Sequence, residues 1–139
     1  MNEKKNVIYL HGFASSAKTS KAVWLGEQNE KEQKVNYYAF DFNPSPMDFS
    51  YMTITGMINR LRQFILDKGI TKPILVGSSM GGLVALHYTK RYGEVRSLLL
   101  LAPALSFHFG DEEIVQQIME AGYFPVFHYA FGKELPLYK

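Results

Sequence analysis

Four short, predominantly apolar runs punctuate the chain: Val7 to Leu10, Val35 to Asp41, Pro73 to Gly77 and Ser97 to Ala102. Their apolar residues sit on neighbouring rather than alternate positions, the pattern of strands covered on both faces. Helical spacing fills the intervals. From about Tyr51 to Lys68, the residues Ile54, Met57, Ile58, Leu61, Phe64 and Ile65 recur at three and four, and Gly69 follows as a stop. A second helix is predicted from Ser79 or Met80 to Tyr92, ended by Gly93, and a third over Lys18 to Lys31. Strand and helix alternating at these lengths predict βαβ units with right-handed crossovers, hence an α/β domain around a parallel sheet.

After Pro103 the pattern changes. Asp111 is placed to cap a helix carrying Ile114, Val115, Ile118 and Met119, with Gly122 at its end, and no fifth strand is read beyond it. Tyr123, Phe124, Phe127, Tyr129, Phe131 and Tyr138 then crowd into a stretch too apolar to be left in water. Residues 1–105 are therefore read as the core, and 106–139 as a helical, aromatic-rich cap or C-terminal segment of the same domain. Asn43-Pro44-Ser45-Pro46 marks a turn or loop after the second strand.

Composition narrows the function classes. A chain of 139 residues that is 47% hydrophobic is one globular domain or part of one. Lys and Arg number 15 against 13 Asp and Glu, which gives no electrostatic case for nucleic acid or an anionic membrane as partner. With no cysteine, disulfides, thiolate metal sites and cysteine nucleophiles are excluded, and His11, His87, His108 and His128 are too scattered to read as a metal site. The first apolar run is too short for a signal peptide. The stretch Leu98 to Leu105 contains Pro103 and falls far short of the ~20 residues of a membrane helix. A cytoplasmic protein without cofactor is expected.

The sharpest chemical signal is Gly77-Ser78-Ser79-Met80-Gly81, a G-x-S-x-G at the point where a predicted strand gives way to a helix. As five residues alone it is a common pattern, readable as a turn with two chance glycines; its strand-turn-helix setting gives it weight. A nucleophile at Ser79 needs a sharp, strained turn, and side chains two positions before or after it would collide with neighbouring backbone. The helix beginning behind Ser79 also places positive dipole near a developing oxyanion. A dinucleotide reading fails, because no G-x-G-x-x-G is present.

Leu10-His11-Gly12-Phe13-Ala14-Ser15-Ser16, together with Gly77-Ser78-Ser79-Met80-Gly81-Gly82, resembles the α/β-hydrolase family, and the opening is similar to that of small YqiA-like esterases. The resemblance covers Asn6 to Leu105. It implies a three-layer sandwich whose four strands are family strands three to six, in the sheet order second, first, third, fourth. It implies an oxyanion hole made by the backbone N–H groups of Phe13 and Met80, a structural His11, no metal or organic cofactor, and a small-molecule ester as substrate. The family's order is serine, acid, histidine, with the last two usually placed after two further strands. Those positions are missing from residues 1–139, so weak activity is expected of them alone. Asp111 and His128 keep the order and are the candidates within the chain, against which stands a His128 simply packed or facing a partner. His108 reads equally as a lid or cap residue, His87 as lying behind the turn, and Asp41 as a carboxylate that orders its loop.

These readings support a carboxylesterase acting through Ser79. A truncated or non-catalytic hydrolase-fold fragment working through binding or self-association is the alternative, and a thioesterase or acyltransferase shares the same nucleophile chemistry. In the implied sheet order, Ser97 to Ala102 is an edge whose leucines point to both faces. It is expected to be covered by the aromatic tail or by a second copy, giving a homodimer through that edge or through the C-terminal segment.

Overall fold

The computed structural model describes residues 3–106 and 112–138. In chain order the elements are β1 (Lys5–Leu10), α1 (Ser20–Glu32), β2 (Val35–Phe40), α2 (Pro46–Ser50), α3 (Ile54–Asp67), β3 (Ile74–Ser78), α4 (Met80–Tyr92), β4 (Ser97–Leu101), α5 (Glu112–Ala121), β5 (Tyr123–His128) and β6 (Lys133–Tyr138). The first four strands form a parallel sheet in the order β2-β1-β3-β4, the order the resemblance implies. Leu10 pairs with Gly77 and Ser78 with Leu101, so the C-terminal ends of β1, β3 and β4 lie level and their loops leave the sheet side by side.

Strand alternation sorts the side chains into two layers. Ile8 and Leu10 of β1, Leu75 of β3, and Leu98 and Leu100 of β4 face α3 and α4, whose Met57, Ile58, Leu61, Ile65, Val84 and Tyr88 complete the main core. Val7 and Tyr9, Val76, and Leu101 point the other way, onto Ala22 and Leu25 of α1. The apolar stripe read over Tyr51 to Lys68 is the buried face of α3, but the helix proper starts after Thr53, whose hydroxyl accepts the Gly56 N–H at 2.9 Å. The preceding turn is the separate helix α2, opened by a reciprocal pair in which Ser45 accepts from Asp48 N–H and Asp48 from Ser45 N–H.

The C-terminal segment departs from expectation. Beyond α5 the chain makes two more strands, an antiparallel hairpin that forms a sheet of its own and does not extend the parallel one. Along β5 the inward positions Phe124, Val126 and His128 are more buried than Tyr123, Pro125 and Phe127. This period of two is masked in the sequence because aromatic residues occupy both faces. The hairpin also overturns one of the two coverings expected for the edge. Leu135 and Leu137 of β6 pack on Phe49 of α2, away from β4. On the α1 side the described residues cover β4 only in part: Leu99 is 53% exposed, Trp24 is 56% exposed, and Leu101 lines an open apolar depression of about 500 Å³ with Trp24 and Leu25.

Candidate functional site

Ser79 stands alone between β3 and α4 with φ 53° and ψ −116°, outside the basins open to residues bearing a Cβ. Backbone contacts hold it there from two sides. Its N–H donates to Leu101 O at 3.1 Å, and its carbonyl accepts from Ala104 N–H at 2.9 Å and from Gly82 N–H at 3.0 Å. The side chain makes no capping bond to α4 and is exposed, although both neighbours, Ser78 and Met80, are buried.

Three glycines make this turn sterically feasible. A Cβ on Gly77 would sit 2.6 Å from Gly81 O and from Gly82 Cα; one on Gly81 would meet Leu10 C at 2.6 Å and His11 O at 2.7 Å; one on Gly82 would lie 2.7 Å from Pro103 Cβ. The first turn of α4 is thus wedged against the backbone of β1 and the segment after β4, with no room for a methyl group.

The loop after β1 passes beside Ser79, because a Cβ on Gly12 would lie 3.4 Å from Ser79 Cβ and 4.0 Å from its Oγ. That loop carries Phe13, whose ring lies 5.7 Å from Phe49. Met80 is the first residue of α4, a position whose N–H has no acceptor within the helix. The loop's base is set by His11. The buried ring's Nδ1 donates to Gly12 O at 2.8 Å, and its Nε2 lies 3.0 Å from Phe42 N. Asp41 Oδ1 lies 3.3 Å from the same Nε2. Burial alone would raise the Asp41 carboxyl, but His11 and the N–H groups of Asn43 and Ala17 outweigh it and hold the pKa below the ordinary value.

Of the acid and base candidates, only His128 falls among the described residues. Asp111 and His108 lie outside the described residues. His128, read without a preceding strand, in fact ends β5. Its fully buried ring lies 4.7 Å from Phe49 and 4.5 Å from Phe131, and neither ring nitrogen has a hydrogen-bond partner among the described residues. It therefore makes no hydrogen bond to Ser79. His87 is on the exposed face of α4. No group of three His, Cys, Asp or Glu among the described residues is placed to hold a metal, and none of the described helices is long and apolar enough to cross a membrane. Sequence reasoning missed Ala14, buried with φ 52° beside Phe13, and the anchoring of Ser79 to Leu101 and Ala104. No residue type announced either of them.

Residues 6–139 match the model of the uncharacterised protein family UPF0227. Among curated relatives, human monoacylglycerol lipase ABHD6 is 31% identical over 127 residues, a match covering 84% of this chain and 36% of the relative. Among solved structures, mouse alpha/beta hydrolase domain-containing protein 10 superposes with a TM-score of 0.73 at 22% identity, covering 98% of this chain and 59% of that one. A monoacylglycerol lipase of Paleococcus ferrophilus gives a TM-score of 0.63 at 22% identity, covering 86% of this chain and 48% of that one. The chain spans about a third of the length of the curated relatives it matches.

Proposed function

The chain belongs to the uncharacterised protein family UPF0227 and has a partial α/β-hydrolase fold, and we propose that it carries the nucleophile half of a serine carboxylesterase site. The observation that carries this reading is Ser79 itself, an exposed hydroxyl on a backbone strained to φ 53° at a strand-to-helix turn. Ser79 Oγ attacks the ester carbonyl carbon while a base takes its proton. The carbonyl oxygen becomes the oxyanion received by the Phe13 and Met80 N–H groups, and collapse expels the alcohol with a proton. Water then attacks the acyl-serine, releasing the carboxylic acid and restoring the hydroxyl. A thioester would pass through the same steps with a thiol leaving, and an acyltransferase would replace water by another acceptor. The esters that the names of the relatives imply make a small acyl ester the substrate class.

Because no base is hydrogen-bonded to Ser79 among the described residues, the 139-residue chain is expected to turn over slowly, with water taking the serine proton. Incubation with p-nitrophenyl acetate followed by peptide mass spectrometry should find the acetyl group on Ser79, and Ser79→Ala should abolish both the adduct and the turnover. Equal turnover by the two proteins would end the assignment. If His128→Phe lost turnover at pH 8 as completely as Ser79→Ala, His128 would be the base after all.

A second reading, binding or self-association, is favoured by the bare β4 edge with Leu99 and Trp24 exposed beside it. Light scattering across a wide dilution series tests it: a mass that falls on dilution supports the reading, and one monomer mass throughout removes it.

A further inference from the structure

The loop that carries Phe13 is held from an unexpected direction. Ala14, its neighbour, is buried in a left-handed conformation at φ 52°, which an L residue keeps only when its surroundings enforce it. Those surroundings are Phe49 of α2 and Leu135 and Leu137 of β6. A row of rings runs the same way: Phe13 to Phe49 at 5.7 Å, Phe49 to His128 at 4.7 Å, and His128 to Phe131 at 4.5 Å. The hairpin therefore grips the loop through α2. His128 is the one titratable member of that row, fully buried and with both nitrogens unpartnered among the described residues. A neutral imidazole is tolerated in such a box; an imidazolium, buried among rings with no acceptor among the described residues, is not.

We infer that the β5–β6 hairpin is a latch that positions the Phe13 loop, and that protonation of His128 releases it. The latch rests on the esterase reading only for the role of the Phe13 N–H; the packing stands without it. His128 is a positioning residue. The groups around it do not offset the cost of charging it. Lys133 opposes it in register on β6, Asp48 on α2 is engaged by Ser45 and Arg60, and α5 brings Glu112, Glu113 and Glu120, all exposed. From the ends of β1 and β2, His11 disfavours the charged ring and Asp41 favours it. Burial dominates, so the His128 pKa lies below the ordinary histidine value. The latch is then at full strength above that ordinary value and is lost as pH falls through the lowered one.

Nuclear magnetic resonance of the labelled 139-residue chain from pH 8 to 5 tests this without requiring turnover. The ring carbons of His128 and the amide and methyl signals of Ala14 should move with one midpoint, below the ordinary histidine value. In His128→Phe that movement of the Ala14 signals should vanish. Leu137→Ala, which loosens the hairpin without touching a titratable group, should shift the neutral-pH Ala14 signals toward the parent's acid end-point. Ala14 signals that still titrate in His128→Phe, or that stay unchanged in Leu137→Ala, overturn the inference. If Ser79 fails to acquire an acetyl group while the Ala14 signals follow His128, the esterase reading falls and the latch stands.

Discussion

The strain at Ser79 makes a stability prediction independent of substrate. A residue with a Cβ held at φ 53°, ψ −116° costs on the order of 1–3 kcal/mol, and glycine is almost free of that cost. Against this, glycine loses more backbone entropy on folding, roughly 0.5–1 kcal/mol relative to alanine. Ser79→Gly should therefore be more stable than Ser79→Ala by about 1 kcal/mol. The comparison isolates the backbone, because both variants lose the hydroxyl and that hydroxyl makes no capping bond to α4. With a urea dependence of about 1–3 kcal/mol/M, the midpoint of Ser79→Gly should lie roughly 0.3–1 M above that of Ser79→Ala. A Ser79→Gly midpoint equal to or below that of Ser79→Ala would show that the turn is not strained as described.

Gly81→Ala should destabilise the fold by roughly 3 kcal/mol or more, because its methyl would press into the Leu10 and His11 backbone, whereas Gly69→Ala meets no neighbouring atom and should cost only the roughly 1–2 kcal/mol of its left-handed φ; urea titration of the two variants measures the contrast. Asp41 has a lowered carboxyl pKa, so its contribution is present above the ordinary carboxylate range and is lost as pH falls through the lowered value. The melting temperatures of parent and Asp41→Asn should accordingly converge as pH falls from the ordinary carboxylate range through the lowered value, and a gap that stays constant down to acid unfolding would refute the role given to Asp41.

What could be read from the sequence is what local rules control. The central strands β1 and β3 announced themselves by apolar runs, whereas the edge strands β2 and β4, read the same way, are partly exposed; α3 showed in a stripe from Ile54 to Ile65, and the turn at Ser79 in glycines whose necessity is steric. Sheet order came from the resemblance, because strand pairing among parallel strands leaves no mark in any one of them. The β5–β6 hairpin was missed since Tyr123, Phe127 and Tyr138 are apolar yet face outward, erasing the alternation that marks a strand. Ala14 was missed because a left-handed φ on a residue other than glycine is imposed by tertiary contacts with Phe49, Leu135 and Leu137, residues far along the chain. The same distance hid the setting of His128.

The two N–H groups assigned to the oxyanion thus differ in what holds them. Met80 belongs to a helix whose first turn is locked by backbone against backbone, Gly81 on Leu10 and His11, Gly82 beside Pro103, with Ser79 itself bonded to Leu101 and Ala104. Nothing in that arrangement titrates, and only glycine fits it, so this donor should keep its place at any pH at which the sheet survives. Phe13 instead is held by side chains, packed on the main core and on Phe49, which joins it to a hairpin that forms its own small sheet. Side-chain contacts of this kind loosen locally at lower free energy than a parallel sheet unfolds. The loop should be the part of the site that yields first, to acid through His128 or to a cavity at Leu137. The serine turn should remain intact when it does.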